Sequence, residues 1–282
     1  MWLDLQVQRR LQAAGQAFVL DVSLQCTQRQ VVLFGPSGAG KSLTLKAVAG
    51  LLRPGQGHVR VQGQTLFDAA TGVDLPPQRR RLGYVFQDYA LFPHLSVRQN
   101  VAFGLEKRWL NPRVGQRFDA VEQWLHAFRI DTVGDLLPSQ ISGGQRQRTA
   151  LARALVTQPQ ALLLDEPFSA LDHDLRQHLR QELEAVLEKT GIPLLLISHD
   201  PQDVAMFGQQ VVHMESGRVV HGKELSTHPD SSVQIVQPAA QAYPPLPPRN
   251  LSVEVSISNA STCLPLSVNA HAGCGEGCGD EQ

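Results

Sequence analysis

The sequence lacks any apolar run long enough to cross a membrane, and it has no excess of charge of either sign. Its 282 residues hold 25 Lys and Arg against 26 Asp and Glu, which excludes the overall basicity of a dedicated nucleic-acid binder. A membrane-spanning helix needs about 20 apolar residues, whereas the longest candidates, Ala161–Leu164 and Pro193–Ile197, have only the length of a strand. The first residues also lack the pattern of a secretory signal. We therefore expect a cytosolic chain that reaches a membrane only through a partner.

Cysteine is scarce and unevenly placed. Of four cysteines, Cys263, Cys274 and Cys278 fall in the last 20 residues, a distribution that does not fit a disulfide framework. Hydrophobic residues make up 42% of the chain and charged residues 18%, which is typical of a folded globular protein. The length predicts one large domain or two small ones.

Strand-like and helix-like patterns alternate along most of the chain. Alternating apolar residues near the N-terminus predict an antiparallel β region, and the continuous run Val31–Phe34 predicts a buried parallel strand. Further predicted helices and buried strands follow at Ser42–Leu52, Gly143–Val156, Ala161–Leu164, Leu171–Lys189 and Leu194–Ile197. This alternation predicts an α/β fold around a mostly parallel sheet.

The patterns also predict how the chain is divided. We assign residues 1–87 and 141–222 to the α/β core and residues 88–140, with their helical spacing, to a helical insertion subdomain. Residues 223–250 are proline-rich and predicted to be a linker, and residues 251–282 are predicted to be a short disordered tail.

A glycine-rich segment between a predicted strand and a predicted helix matches the phosphate-loop pattern G-x-x-x-x-G-K-[ST]. Its backbone N–H groups and the helix N-terminus would face phosphates, Lys41 would reach the β- and γ-phosphates, and Ser42 would bind Mg²⁺. The predicted nucleotide-binding residues of this segment are Gly35, Pro36, Ser37, Gly38, Ala39, Gly40, Lys41 and Ser42. This predicts a P-loop NTPase that binds a nucleotide with Mg²⁺.

Two carboxylates end the apolar strand that follows later in the chain. Asp165 would lie beside the metal at the carboxyl edge of the sheet. Glu166, the next residue, could take a proton from the attacking water. We therefore predict Asp165 as a metal ligand and Glu166 as the catalytic base.

A second anion cradle precedes that strand. Ser142, Gly143 and Gly144 are small residues at the start of a predicted helix, and Gln145 follows them. With Ile141 where leucine is usual, the segment resembles the signature sequence of the ATP-binding cassette (ABC) ATPases and has that family's spacing to the metal-binding strand. The resemblance extends over about residues 1–222.

The other landmarks of this family occur in the expected order. Gln87 matches the glutamine that senses Mg²⁺ and the membrane partner, and the resemblance makes it both a metal ligand and a catalytic residue. Asp172 ends the segment that matches the loop crossing between two ATPase subunits, and His199 matches the histidine that contacts the γ-phosphate. The aromatic residue that commonly stacks on adenine has no match, and for Phe18 core packing is the expected role.

The resemblance implies a homodimer in which two chains face each other head to tail. Each ATP would lie between the phosphate loop of one copy and the signature residues Ser142–Gln145 of the other. Members of this kind work at the cytoplasmic face of the membrane, bound to separate integral-membrane permease subunits and served indirectly by a periplasmic solute-binding protein.

The segment from Leu75 to Gly104 is similar to importers of molybdate, sulfate, ferric iron, polyamines and sugars, and most of all to the molybdate members. The resemblance thus implies an ATP-hydrolysing importer subunit for molybdate, with sulfate, ferric iron or polyamine as alternatives. Within the segment, residues 91–93 either dock the membrane subunit or pack in the core. The run Arg79–Arg81 leaves open a non-transport ABC ATPase, but without an extended basic face we expect no nucleic-acid partner.

The end of the chain departs from the molybdate members, which typically carry a C-terminal oxyanion-binding β-domain. Residues 248–255 resemble the start of such a domain, so a shortened remnant is the alternative to a disordered tail. His271, Cys274 and Cys278, with Cys263 and His221, could instead hold a metal, although their spacing fits no standard zinc site.

Overall fold

The alternating patterns of the sequence correspond to real strands and helices in the computed structural model, which describes residues 1–13, 16–105, 111–113, 115–169 and 171–220. The predicted linker, the predicted tail and the proposed metal ligands His221, Cys263, His271, Cys274 and Cys278 lie outside these residues. Within the described residues, no helix is long and apolar enough to cross a membrane.

The described strands join in one mixed sheet whose order is β6-β5-β4-β1-β2-β11-β10-β3-β9-β8-β7. Their bounds are β1 (Leu3–Ala13), β2 (Gln16–Cys26), β3 (Gln30–Phe34), β4 (Gln56–Val61), β5 (Gln64–Asp68), β6 (Val73–Asp74), β7 (Leu82–Val85), β8 (Ala161–Asp165), β9 (Leu194–Ile197), β10 (Gln210–Glu215) and β11 (Arg218–Val220).

The two halves of the sheet differ in strand direction, as the sequence predicted. Strands β10, β3, β9, β8 and β7 run parallel to one another. Strands β2, β1, β4, β5 and β6 pair antiparallel, with Leu5 opposite Leu24 on one side and Val59 on the other. The parallel half carries the continuous apolar runs because both of its faces are covered.

Helices cover the sheet and connect its strands. Their bounds are α1 (Lys41–Ala49), α2 (Val97–Ala102), α3 (Asp119–Ala127), α4 (Gly143–Leu155), α5 (His173–Thr190) and α6 (Pro201–Phe207), with 3₁₀ turns at Pro77–Arg79, Phe103–Leu105, Asp131–Val133 and Pro138–Gln140. Helix α1 ends earlier than predicted because Gly50, at φ 81°, takes the left-handed conformation that closes a helix. Helix α5 begins at His173 because the Asp172 carboxylate caps it.

Two hydrophobic cores lie on opposite faces of the sheet. Successive residues of β8 alternate between them: Leu162 and Leu164 pack with α3, α4 and α5, whereas Ala161 and Leu163 pack with α1 and the antiparallel strands. The period of two explains how a wholly apolar strand supplies both cores. Residues 88–140 contain α2, α3 and three of the 3₁₀ turns, and their separation as a subdomain stays a prediction.

Candidate functional site

The phosphate loop joins the end of β3 to the start of α1, as predicted. Gly35 has φ 154°, and a Cβ there would lie 2.2 Å from the carbonyl oxygen of Met214, so only glycine fits. Gly40, at φ 97°, directly precedes α1, and its carbonyl accepts the N–H of Thr44 at 2.9 Å. The loop therefore passes directly into the helix N-terminus, where free N–H groups favour an anion.

The ammonium of Lys41 lies inside the curve of this loop. Its Nζ donates to the carbonyl oxygens of Gly35 at 2.8 Å and Pro36 at 2.9 Å. Lys41 is only 5% exposed. The Lys41 ammonium is already positioned inside the loop. The oxygens of a bound phosphate could therefore replace the two carbonyl oxygens as its hydrogen-bond acceptors.

Ser42 and Asp165 meet although they are far apart in the sequence. The Ser42 hydroxyl donates to Asp165 Oδ1 at 2.9 Å. The Tyr84 hydroxyl, which the sequence analysis did not single out, lies 3.4 Å from Oδ2 and donates to it. Burial raises the pKa of Asp165, although the hydrogen bond from Ser42 opposes this. Both oxygens of this carboxylate are thus held by hydroxyl groups.

Glu166 and His199 lie together beside this pair. Glu166 Oε1 is 3.4 Å from His199 Nδ1, and their side chains are 19% and 64% exposed. Glu166 has φ 47°, a left-handed conformation that costs energy in a non-glycine residue. Its backbone is fixed by a hydrogen bond from its N–H to the carbonyl of Ile197, at 3.1 Å.

Gln87 completes this edge of the sheet. It is exposed just beyond β7 and lines one cleft together with Ser42 and Asp165. The phosphate loop, Gln87 and His199 follow β3, β7 and β9, respectively, and Asp165 is the last residue of β8. All four therefore lie at the carboxyl ends of parallel strands, the edge at which open α/β sheets bind ligands.

Phe18 borders the phosphate loop but does not line the cleft that contains Ser42, Gln87 and Asp165. It is half-buried, packs against the second core and lines a cleft with Pro36, Ser37 and Arg218. Core packing therefore describes only part of its surroundings, because the ring also borders the phosphate loop. Its position in an alternating strand gave no sign of this cleft.

The signature residues form a helix N-terminus, as predicted, but away from the phosphate loop. The Ser142 hydroxyl accepts the Gln145 N–H at 3.2 Å, and the Gln145 side chain accepts the Ser142 N–H at 2.9 Å. Gly144 packs so closely that a Cβ would lie 2.4 Å from Leu175 of α5. No hydrogen bond in the described part of the chain joins this segment to residues 35–42.

Asp172 is exposed at the N-terminus of α5, where its carboxylate accepts the Leu175 N–H at 3.0 Å. It therefore has an immediate structural role as a helix cap. Like the signature residues, it makes no hydrogen bond to the phosphate loop in the described residues.

The donor set suits the groups that the sequence predicts. Hydroxyl, carboxylate and amide oxygens of Ser42, Asp165 and Gln87 are the hard ligands that Mg²⁺ prefers, and it usually binds through one or two carboxylates together with substrate phosphates. Loop glycines at positive φ (Gly35, Gly38 and Gly40) and a buried lysine suit a polyphosphate. The residues present therefore fit a nucleotide with Mg²⁺.

Comparison with known proteins gives consistent relatives. Residues 19–169 match the ABC transporter family. The sulfate/thiosulfate import ATP-binding protein CysA of Synechocystis sp. is 43% identical over 215 residues, which are 75% of this chain and 58% of that protein. The molybdenum import ATP-binding protein ModC of Brucella abortus is 43% identical over 204 residues, 72% of this chain and 55% of that protein.

A solved structure shares the fold. The ATP-binding cassette MJ0796, determined as a dimer in a post-hydrolysis state with ADP and Pi, superposes with a TM-score of 0.67 at 29% identity over 80% of this chain and 99% of that one. The chain spans less than two thirds of the length of the CysA and ModC relatives above. The family match extends from β2 past Glu166 and includes the phosphate loop and the signature segment. The chain belongs to the ABC transporter family.

Proposed function

We propose that this chain is the ATP-hydrolysing subunit of an ABC importer, energising uptake of a small oxyanion. The observation that carries the proposal is the Ser42–Asp165 hydrogen bond beside the Glu166–His199 pair, at the end of a phosphate loop that holds Lys41. The import ATP-binding proteins to which the chain is 43% identical support the transport role.

The chain's own groups account for triphosphate binding. Backbone N–H groups of residues 37–42 would surround the phosphates, and the Lys41 ammonium would leave the carbonyls of Gly35 and Pro36 to bind the β- and γ-phosphates. The exchange replaces two neutral acceptors with anionic oxygens, which form stronger hydrogen bonds with a cation. The cleft that borders Phe18 also contains Pro36, Ser37 and Gly38 of the loop and is our candidate surface for the base.

Hydrolysis needs a base, a metal ion and a side chain that stabilises the charge on the γ-phosphate. Mg²⁺, held by Ser42, Asp165 and Gln87, would neutralise charge that develops on the phosphates. Glu166, fixed by its backbone and close to that metal site, takes the proton of the attacking water. His199, which is largely exposed, reaches from Glu166 towards the γ-phosphate and stabilises its charge in the transition state.

The proposed nucleotide site of one chain does not include the signature residues Ser142–Gln145, which we predict to bind the same phosphates. Ser142 is exposed at the N-terminus of α4 and makes no hydrogen bond to the phosphate loop of the same chain in the described residues. We infer that Ser142–Gln145 of a second copy close over the ATP, assisted by Asp172, in a head-to-tail homodimer. The dimeric form in which MJ0796 was solved supports this arrangement. ATP would bring the two cradles together, and hydrolysis would remove the charge that both bind.

We propose that the dimer is bound to permease subunits at the cytoplasmic face of the membrane, with a solute-binding protein as an indirect partner. Phe92 is half-buried and packs in a tilted arrangement against Phe103 at a centroid distance of 4.3 Å, and Pro93 beside it is exposed. This surface just beyond Gln87 is where a permease would reach the site. The cargo we propose is molybdate, with sulfate as the alternative, since relatives named for both are equally similar at 43% identity.

The test is uptake in cells at trace molybdate. We expect deletion of the gene to lower cellular molybdenum, the intact gene to restore it and Glu166→Gln to fail, because import requires each turnover of ATP. Excess molybdate should bypass the defect. If molybdenum is unchanged and sulfate uptake falls instead, the alternative cargo is correct. If neither changes, the proposed oxyanion cargo is wrong, and ferric iron or polyamine uptake is measured in the same strains.

A further inference from the structure

One arginine on α5 contacts two of the loops that surround the site. Arg176 Nη2 donates to the carbonyl oxygen of Leu171 at 2.9 Å, and its Nη1 donates to Asp200 Oδ2 at 3.1 Å. Leu171 directly precedes Asp172 in the loop proposed to cross between subunits. Asp200 directly follows His199. A single guanidinium therefore joins the crossing loop to the residue next to the proposed γ-phosphate contact.

Hydrogen bonds join Asp200 to the residues on both sides of it in the chain and to α5. Its Oδ1 accepts the Gln202 N–H at 2.9 Å and so caps α6, and its own N–H donates to Ser198 Oγ at 2.9 Å. Arg180 Nη2 donates to its Oδ2 at 2.6 Å. With the backbone held on both sides of His199, a displacement of Asp200 would be carried to the His199 side chain.

The attachment of α5 to α6 does not need Arg176. Arg180, whose side chain is 4% exposed, also binds Asp203 at 2.5 Å and Gln202 at 2.6 Å. The Arg176 side chain is 27% exposed, and its Nε has no partner among the described residues. Arg180 is therefore the structural tie, and the feature special to Arg176 is its bond to the Leu171 carbonyl.

We propose that Arg176 is a positioning residue that couples the crossing loop to His199. When a second copy approaches and fixes the Leu171–Asp172 backbone, Arg176 transmits that position through Asp200, so that His199 is correctly placed only in the closed dimer. The planar fork of arginine suits this role, because its two terminal nitrogens reach two acceptors at once. The inference rests on the proposed function, since it requires ATP hydrolysis by a dimer.

The test compares Arg176→Gln with Gln177→Ala, an exposed neighbour on the same helix, in the purified full chain. We expect Arg176→Gln to lower kcat about tenfold or more while KM and the affinity of the isolated chain for a fluorescent ATP analogue change less than about twofold. The melting temperature should stay within about 3 °C of that of Gln177→Ala. In the Glu166→Gln background, ATP should still drive dimerisation.

The outcomes separate coupling by Arg176 from a purely structural role. A kcat equal to that of Gln177→Ala would overturn the inference and leave the proposed function intact. A fall in kcat together with a fall in melting temperature or nucleotide affinity would also overturn it, because the role would then be structural. Absence of ATP hydrolysis by the wild-type chain would reject the proposed function, and the coupling with it.

Discussion

The carboxylate of Asp165 has one partner that the sequence motifs predicted, Ser42, and one that they did not, Tyr84. The phosphate-loop pattern and the apolar strand predicted that Ser42 and Asp165 share a metal, and their 2.9 Å hydrogen bond is consistent with that prediction. The second partner, Tyr84, could not be predicted, because β7 is half-buried and a sequence does not show which face of a strand meets a neighbour's last residue.

Removing the Tyr84 hydroxyl should weaken Mg²⁺ binding. Tyr84→Phe leaves Asp165 Oδ2 with one partner fewer, and the carboxylate becomes freer to rotate away from the metal. We expect the Mg²⁺ concentration needed for half-maximal binding of a fluorescent ATP analogue to rise about tenfold, the usual scale for such supporting groups. The measurement is a Mg²⁺ titration of binding, which does not depend on turnover.

Tyr89→Phe is the matched control, since Tyr89 is 8% exposed and its hydroxyl has no partner among the described residues. This variant should titrate as the wild type does. Equal Mg²⁺ requirements for Tyr84→Phe and Tyr89→Phe would show that the 3.4 Å contact between Tyr84 and Asp165 does not contribute to Mg²⁺ binding.

At the scale of elements, the sequence located those with long or wholly apolar patterns. The predicted β9 has the observed bounds, and α4 and β8 differ from their predicted ends by one residue. Strands β5, β6, β10 and β11 and helix α6 were not predicted. The pairing of these strands is set by distant strands rather than by their own periodicity, as when β10 adds to β3.

The run Arg79–Arg81 is a case in which burial, not composition, decides the role. Arg79 and Arg81 are exposed, whereas Arg80 is 1% exposed and its Nη1 donates to the carbonyls of Ala47 at 3.0 Å and Val48 at 2.9 Å. Arg80 thus satisfies the free carbonyls at the C-terminus of α1, the helix whose N-terminus ends the phosphate loop. The sequence alone could not distinguish the three arginines.

Arg80→Ala should therefore destabilise the protein far more than Arg79→Ala. Its loss removes the side-chain donor of the Val48 and Leu75 carbonyls and a partner of Asp74 that lies 3.3 Å away. We expect a loss of about 3 kcal/mol in the free energy of unfolding, measured by urea denaturation, and less than about 0.5 kcal/mol for exposed Arg79. Similar losses for both variants would contradict the assignment of Arg80 as the cap of α1.

At the scale of the whole molecule, strand order brings the site together. The phosphate loop, Asp165 and His199 meet because β3, β9 and β8 are neighbours in the sheet, although β3 and β8 are more than a hundred residues apart in the chain. The sequence predicted a mostly parallel sheet but not this strand order, because the sequence of an apolar strand does not indicate which strands it will pair with. Among the described residues the signature segment makes no hydrogen bond to the phosphate loop of its own chain, and we propose that a second copy supplies it.

We propose that ATP joins two copies of this chain, and light scattering of Glu166→Gln measures this association. This variant should bind ATP without consuming it, since the proton acceptor is lost while the phosphate loop is intact. At saturating ATP and Mg²⁺ we expect a particle of twice the 30.9 kDa of one chain, and without nucleotide a single chain. A single-chain mass under ATP concentrations that saturate binding would contradict it.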